Sequence, residues 1–221
     1  QKQYGYKMVW DIDDFIWGHN EKQGGTVDDG VPSYNSGYPG ITDAVKEASI
    51  EIIKLMDLIT VSTEYLKWYL QTVKGITVPI QVVPNAVPKY FWGNKRKRPI
   101  TKDIQKPRVV YTGSPTHYNN QEKLPGDFGN AWKDWVIKAV NEGRIDFWVM
   151  GGLPFFFESI KNKIHIFDWV GSFQYHHAVR DINADFAIMP LVPNNFNHSK
   201  SDIKAIELYA CGVACIGTTF T

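Results

Sequence analysis

Short apolar runs recur along the chain and alternate with segments of helical periodicity. The runs are bounded by turn residues, which is typical of buried strands. They lie at residues 7–12, 57–62, 80–83, 108–112, 145–150, 163–167, 186–191 and 213–216. Strands that alternate with helices in this way favour an α/β fold built on parallel sheet.

Between the runs, apolar residues repeat at the spacing of an amphipathic helix. The first such segment covers 42–56, where Thr42 is the predicted N-cap. Further helices are predicted at 63–72, at about 128–141 and at about 175–183. Each of these helices follows one strand and precedes the next.

A basic, proline-containing stretch at 89–107 interrupts the pattern. Its composition is typical of an interdomain linker, so we predict an N-terminal domain at 1–88 and a C-terminal domain at 108–221. The basic run 95–98 could contact phosphates, but a solvated linker face is favoured. Because the chain opens on what resembles an internal strand, we expect the N-terminal domain to be incomplete. Residues 18–40 are predicted to form a long loop, and such a loop is usually functional or mobile.

The composition supports a globular protein and gives no support to several other classes. The chain has 221 residues, of which 43% are hydrophobic, and a formal net charge of +1, so it can bury a core and carries no overall charge signature for nucleic acid. Its two cysteines, Cys211 and Cys215, provide neither a disulfide framework nor a zinc site. With no signal peptide and no apolar run of about 18 residues, we expect a cytoplasmic protein without a membrane span.

The stretch 196–212 carries the most informative pattern. If a helix starts near Ser199, Lys200, Lys204 and Glu207 share one face while apolar residues line the other. Its N-terminus would lie at the carboxyl edge of a parallel sheet, where phosphates are commonly bound. The two lysines, with Ser199 and Ser201, could then neutralise a diphosphate, and Glu207 could accept hydrogen bonds from sugar hydroxyls. The alternative is a surface helix with ordinary Lys–Glu pairing.

Acidic residues follow the first strand, at Asp11, Asp13 and Asp14. The Asp11-Ile12-Asp13 triplet matches the DxD pattern that binds a divalent metal and a nucleotide diphosphate. Carboxylates at a strand end also form caps and turn hydrogen bonds, which is the more frequent role. A third possibility is that Asp13 or Asp14 acts as a general base on an acceptor hydroxyl.

Further candidates follow strands in the second half of the chain. Gly113 and Ser114 end a strand and allow close backbone approach to a phosphate or sugar. His117, next in that loop, could bind the sugar or transfer a proton, although a lone loop histidine is more often structural. Trp169 and Val170 could pack on a nucleobase, although a tryptophan in an α/β protein is usually in the core.

Taken in order, these segments carry a family resemblance. Residues 57–63, Val83 to Val87, 111–117, 184–191 and 197–212 resemble the successive landmarks of glycosyltransferases of the GT-B class, and in particular those of the family 4-like (group 1) branch of bacteria and their phages. The resemblance covers nearly the whole chain. Residues 11–17 also resemble the DxDDxxW stretch of the acceptor-side domain, which favours an acceptor-facing or structural role over metal binding.

The resemblance implies two Rossmann-like domains facing a cleft, with a nucleotide-sugar donor bound mainly by the C-terminal one and no obligatory metal or other cofactor. Glu207 matches the second glutamate of the E-x7-E motif, which binds the donor ribose. Lys200 and Lys204 would contact the diphosphate or the sugar. Ser199 stands where the family has its first glutamate, so the usual contact to the sugar and a retaining outcome do not carry over.

We therefore expect a glycosyltransferase that moves a sugar from a nucleotide-diphosphate donor to a hydroxyl acceptor. The sequence leaves the acceptor open among a glycan, a protein, a small molecule and a modified DNA base. The predicted catalytic residues are His117, Asp13 and Asp14. The predicted donor-binding residues are Gly113, Ser114, Trp169, Val170, Asn197, Ser199, Lys200, Ser201, Lys204 and Glu207.

Two other classes of function stay open. A non-catalytic protein of the same fold, such as a virion component, would keep the core and lose the donor contacts, because a fold does not guarantee its usual function. A nucleotide-sugar epimerase shares the two-domain arrangement, but the chain has no acidic and histidine set that suggests one.

Overall fold

The computed structural model describes residues 5–17, 42–92, 105–114, 117–118, 120, 123 and 125–219. The chain divides into two compact units. The first comprises Gln1–Asn85 with Pro193–Asp202, and the second comprises Ala86–Val192 with Ile203–Thr221. The predicted loop at 18–40 and the basic run at 95–98 lie outside the described residues.

The described residues form an α/β fold in which every strand pairs in parallel. The strands are β1 (Val9–Ile12), β2 (Leu58–Val61), β3 (Ile80–Val82), β4 (Arg108–Thr112), β5 (Asp146–Met150), β6 (His165–Phe167), β7 (Phe186–Met189) and β8 (Ala214–Gly217). The helices are α1 (Asp43–Ile53), α2 (Glu64–Trp68), α3 (Lys89–Trp92), α4 (Gly129–Asn141), α5 (Ser172–Ile182), α6 (Asn195–Ser199) and α7 (Ile203–Ala210). A π-helical turn covers Tyr69–Val73, and 3-10 segments cover Gly126–Phe128 and Phe155–Lys163.

The first unit contains a three-stranded sheet in the order β1-β2-β3. Its core is formed by apolar residues of the strands with Ile53 from α1 and Leu66 from α2, both fully buried. Thr42 caps α1, as predicted, because its hydroxyl accepts a hydrogen bond from the Val45 N–H at 3.3 Å. Thr63 caps α2 in the same way, through the Leu66 N–H at 3.2 Å.

The second unit contains a five-stranded sheet in the order β6-β5-β4-β7-β8. Alternate residues of its strands face opposite sides, and both sides are covered. Val109, Phe147 and Val149 pack with Val136 of α4 on one side. On the other side the buried cluster includes Val110 and Met150 together with Val179 of α5 and Leu208 of α7. The strand order reverses at β4, which pairs with β5 on one edge and with β7 on the other.

The α/β class and the positions of the strands are confirmed, but the predicted start of the last helix, near Ser199, is wrong. Instead, α6 ends at Ser199, the Lys200 backbone is extended with φ −63° and ψ 139°, and α7 begins at Ile203. The Ser199 hydroxyl donates to the Phe196 carbonyl oxygen at 2.6 Å, which favours the end of α6 there. Lys200 and Lys204 therefore do not share a helical face.

The predicted linker at 89–107 includes the short helix α3, whose Trp92 is buried. The Trp92 ring packs edge-on against Tyr175 of α5, with ring centroids 5.7 Å apart. Residues 93–104 lie outside the described part of the chain. The start of this stretch is therefore part of the second unit.

In the portion of the chain that the structure describes, we find no helix that combines the length and the apolar character needed to traverse a lipid bilayer.

Candidate functional site

A cavity of about 500 Å³ lies in the second unit, at the carboxyl ends of β4, β5 and β6 and beside α7. This volume is within the range of small-molecule sites. The cavity sits where the strand order reverses, and in open parallel sheets that crevice is the usual ligand site. Its lining includes Trp92, Thr112, Gly113, Ser114, His117, Met150, Gly151, Trp169, Val170, Gly171, Ser172, Tyr175, Lys204 and Glu207.

Two glycines bring the backbones after β4 and β5 together at the floor of the cavity. Gly151 has φ +104°, a conformation that L side chains rarely adopt. A Cβ atom added there would clash with the Gly113 carbonyl oxygen. A Cβ atom added at Gly113 would clash with the ring and hydroxyl of the buried Tyr111. Both positions need glycine because the space is already occupied, and the approach leaves backbone rather than side chains facing the cavity.

His117 reaches the cavity from the loop after β4, and a buried carboxylate binds its ring. The His117 Nδ1 atom lies 2.7 Å from the Asp127 Oδ2 atom. The Asp127 side chain is 1% exposed, and its Oδ1 atom accepts a hydrogen bond from the Val192 N–H at 3.3 Å. Because a carboxylate only accepts hydrogen bonds, the Nδ1 atom carries the proton of this hydrogen bond.

Lys204 and Glu207 enter the cavity from the first turns of α7. Burial raises the pKa of the Glu207 carboxyl, and the positive charge of Lys204 opposes part of that shift. A partly buried carboxylate beside a lysine in a cleft is the kind of environment found at binding and catalytic sites. The pair offers one cation and one hydrogen-bond acceptor on the same helix.

Aromatic side chains form another part of the cavity wall. Trp169 is 71% exposed, so its ring is available to a planar ligand. Burial raises the pKa of the Tyr175 phenol to about 12, and the nearby Glu207 carboxylate adds to that shift. Tyr175 therefore stays protonated near neutral pH and can donate a hydrogen bond.

The cavity brings together a large part of the set predicted from the sequence: Gly113, Ser114, His117, Trp169, Val170, Lys204 and Glu207. The remaining predicted residues belong to the first unit: Asp13, Asp14, Asn197, Ser199, Lys200 and Ser201.

Asp13 follows β1 and is exposed, whereas Asp14 is half-buried. The Asp13 Oδ1 atom accepts a hydrogen bond from the Asn85 amide at 2.6 Å, and the same amide donates to the Ser201 hydroxyl at 2.8 Å. Asn85 follows β3, so this hydrogen-bonded chain lies at the carboxyl edge of the first sheet. The arrangement holds the Asp13 carboxylate in a defined position.

Asn197 and Ser199 are each 1% exposed, in α6. The Asn197 N–H donates to the Asn194 side chain at 2.7 Å, which caps the helix, and the Ser199 carbonyl accepts from the Thr63 hydroxyl at 3.1 Å. The Lys200 ammonium lies 4.8 Å from the centre of the Phe196 ring. These contacts hold the segment within the first unit.

Sequence reasoning missed Asp127, Tyr175 and Trp92 as site residues. Asp127 lies in a short 3-10 turn that has no periodic signal, Tyr175 shows only the pattern of a helix residue, and Trp92 falls in the predicted linker. The one available signal was that Tyr175 and Trp92 are large aromatic residues with a polar atom, a type that often lines binding sites.

Within the described ranges, no group of three or more His, Cys, Asp or Glu side chains is arranged to hold a metal ion. A comparison with models of known protein families finds no match, and a comparison with curated proteins also finds none.

Replacing Gly151 with alanine should lower the free energy of unfolding by about 2–4 kcal/mol, because the new Cβ atom meets backbone and the positive φ is strained. Urea denaturation measures the change. Gly152→Ala is the matched control: its φ is +114°, but its Cβ atom would meet only the Tyr118 hydroxyl at 3.3 Å. Equal losses in the two variants would show that φ strain, rather than the contact with Gly113, sets the cost.

Glu207→Gln should raise the free energy of unfolding modestly at pH 7. The pKa of Glu207 is higher in the folded protein than in the unfolded chain. As the pH rises through these two pKa values, the unfolded chain ionises more readily than the folded protein, and the folded protein loses stability. Below the unfolded pKa the carboxyl is neutral in both states, so parent and variant should converge there. Urea denaturation across this pH range tests it, with the exposed Glu47→Gln as control. A variant less stable than the parent at pH 7 would contradict the expected direction.

Proposed function

We propose that the second unit binds a nucleotide-diphosphate sugar in its cavity and that the protein transfers the sugar to a hydroxyl acceptor. The observation that carries this proposal is the convergence of Lys204, Glu207 and the glycine-containing turn after β4 in one cavity. The sequence pattern predicts each of these residues as part of a ligand site independently of the others. Their meeting at one sheet edge supports a common ligand.

The position of the cavity supports a nucleotide in particular. When the strands of the second unit are numbered in chain order, the order in the sheet is 3-2-1-4-5. The cavity lies at the carboxyl end of strand 1 in this numbering, which is β4. Doubly wound sheets of this order bind nucleotides at the carboxyl edge, where the order reverses. Gly113 and Gly151 line the cavity without side chains of their own, on the same side of the sheet as the Lys204 ammonium that would bind a phosphate group.

The cavity residues supply complementary contacts for the parts of such a donor. In the proposal, Lys204 binds the diphosphate and stabilises negative charge on the leaving nucleotide. The Glu207 carboxylate accepts hydrogen bonds from ribose hydroxyls, and the exposed Trp169 ring stacks on the base beside Val170. The lysine provides a positive charge that a bound metal would otherwise supply, so the proposal requires no obligatory metal.

In the reaction, the bond between the anomeric carbon and the diphosphate oxygen breaks, and a bond from that carbon to the acceptor oxygen forms. The acceptor hydroxyl loses its proton to a base, and the nucleoside diphosphate leaves with the bonding electron pair. We assign Asp13 and Asp14 as candidate bases, with the Asn85 amide orienting Asp13. Each unit of a GT-B enzyme would be a Rossmann-like domain, and the first unit would carry the acceptor side.

Thermal unfolding in the presence of nucleoside diphosphates and nucleotide sugars tests the donor site. A ligand present at about 100 times its dissociation constant adds about 2.7 kcal/mol of stability, which raises the melting temperature measurably. We expect one nucleotide to stabilise the parent with or without Mg²⁺, and the effect to be lost in Lys204→Ala and Glu207→Ala.

Lys138→Ala and Glu142→Ala provide matched controls. They remove one positive and one negative charge from exposed positions, Lys138 in α4 and Glu142 directly after it. These variants should keep the nucleotide-induced shift. Release of nucleoside diphosphate from the stabilising donor then tests turnover. Binding without any release, with or without candidate acceptors, favours the non-catalytic alternative, and the absence of any binding would refute the donor site.

A further inference from the structure

We infer that His117, held by Asp127, is a cationic phosphate-binding residue of the cavity and that Asp127 is its positioning residue. The inference rests on the proposed function and deepens it, because it assigns a second cation to the donor diphosphate. It differs from the roles expected from the sequence, which were sugar binding or proton transfer by an isolated loop histidine.

The first supporting observation is the geometry of the pair. The His117 Nδ1 atom and the Asp127 Oδ2 atom are 2.7 Å apart, and the two side chains are 15% and 1% exposed. A hydrogen bond of this length between a ring nitrogen and a carboxylate is typical of charge-assisted pairs. His117 lines the cavity, whereas Asp127 is buried and is not among the lining residues, so the carboxylate can act on a ligand only through the histidine.

The second supporting observation is that the backbone is built to hold Asp127 in place. Gly126 has φ +57°, and a Cβ atom there would clash with the His117 carbonyl oxygen. The 3-10 turn Gly126–Phe128 therefore packs directly against the backbone of His117 and leads into α4. Val192, after β7, donates its N–H to the other carboxylate oxygen. A carboxylate fixed from these elements can orient the imidazole ring.

The Asp127 carboxylate lies within hydrogen-bond distance of the His117 ring. A carboxylate at such a distance favours the charged form of an imidazole by Coulomb attraction. The nearby phenols of Tyr111 and Tyr118 add no negative charge, because burial raises the pKa of both and keeps them neutral. In the imidazolium form the Nε2 atom also carries a proton and can donate to a phosphate oxygen.

The charges that line the cavity leave a place for a second cation beside Lys204. Lys204 and Glu207 extend from α7 and Tyr175 from α5, whereas His117 comes from the loop after β4. A diphosphate carries more than one negative charge, and Lys204 by itself, beside Glu207, would leave most of that charge unbalanced. A second cation on a separate element would complete the neutralisation of the leaving group.

The test measures the affinity for inorganic pyrophosphate by calorimetry from about pH 5.5 to about pH 8.5. Because pyrophosphate and Glu207 titrate in both proteins, the informative quantity is the ratio of the dissociation constants of His117→Gln and the parent at each pH. We expect a ratio of roughly ten at the acidic end, falling towards one as the ring loses its proton. Asp127→Asn should reduce the acidic-end affinity in the same direction.

His165→Gln is the matched control, because His165 also pairs with a carboxylate, that of Asp146 at 2.9 Å, outside the cavity lining. It should bind pyrophosphate as the parent does. If Asp127→Asn fails to fold, nitrogen NMR of the His117 ring in the parent replaces it: pyrophosphate should increase the fraction with both nitrogens protonated.

A ratio of one at every pH, or a ratio above one that does not change with pH, overturns the inference. If nucleoside diphosphates stabilise the parent and His117→Gln equally, the proposed function stands and the inference fails. If neither pyrophosphate nor any nucleotide binds the parent, both fail.

Discussion

The parallel pairing of β4 with β5 on one edge and β7 on the other is the constraint on which the second unit depends. Because the order reverses at β4, the chain leaves β4 and β5 towards one side and reaches α7 from β7 on the other, and a crevice remains between them. Burial of apolar side chains on both faces keeps the strands in place. The apolar core therefore brings the polar groups at the carboxyl edge together, although these groups are not themselves part of that core.

Several features of this edge are unfavourable for stability by themselves. Glu207 has a raised pKa because it is partly desolvated, Gly151 adopts a φ that only glycine accepts readily, and the Asp127 carboxylate is buried beside a histidine. Proteins commonly retain such features where a ligand requires them, because a preorganised charge binds without rearrangement. Their concentration around one cavity, rather than the volume of the cavity, makes it a functional candidate. The first unit provides a comparable polar arrangement on its own sheet edge, where Asn85 holds Asp13.

The fold class and the strands could be predicted because apolar periodicity reports directly which residues a sheet buries. Thr42 could be predicted as a helix cap because capping is a local hydrogen bond. The helix predicted over 199–212 was partly wrong, although its spacing is compatible with one continuous helix. The Asn194 cap starts a separate helix, α6, and the Ser199 hydroxyl and the extended Lys200 backbone end α6 before α7 begins. Lys200 consequently belongs to the first unit and Lys204 to the second.

By itself the sequence determined the α/β class, the strands, and the small and charged residues that follow them, since each depends on neighbours within a few positions. Only the tertiary structure decided that His117 would meet Asp127, that Gly113 and Gly151 would touch, and that Tyr175 would lie near Glu207. These contacts join residues from different loops and helices, and their formation depends on strand order. Strand order is set by the packing of the whole sheet and leaves no local periodic signal in the chain.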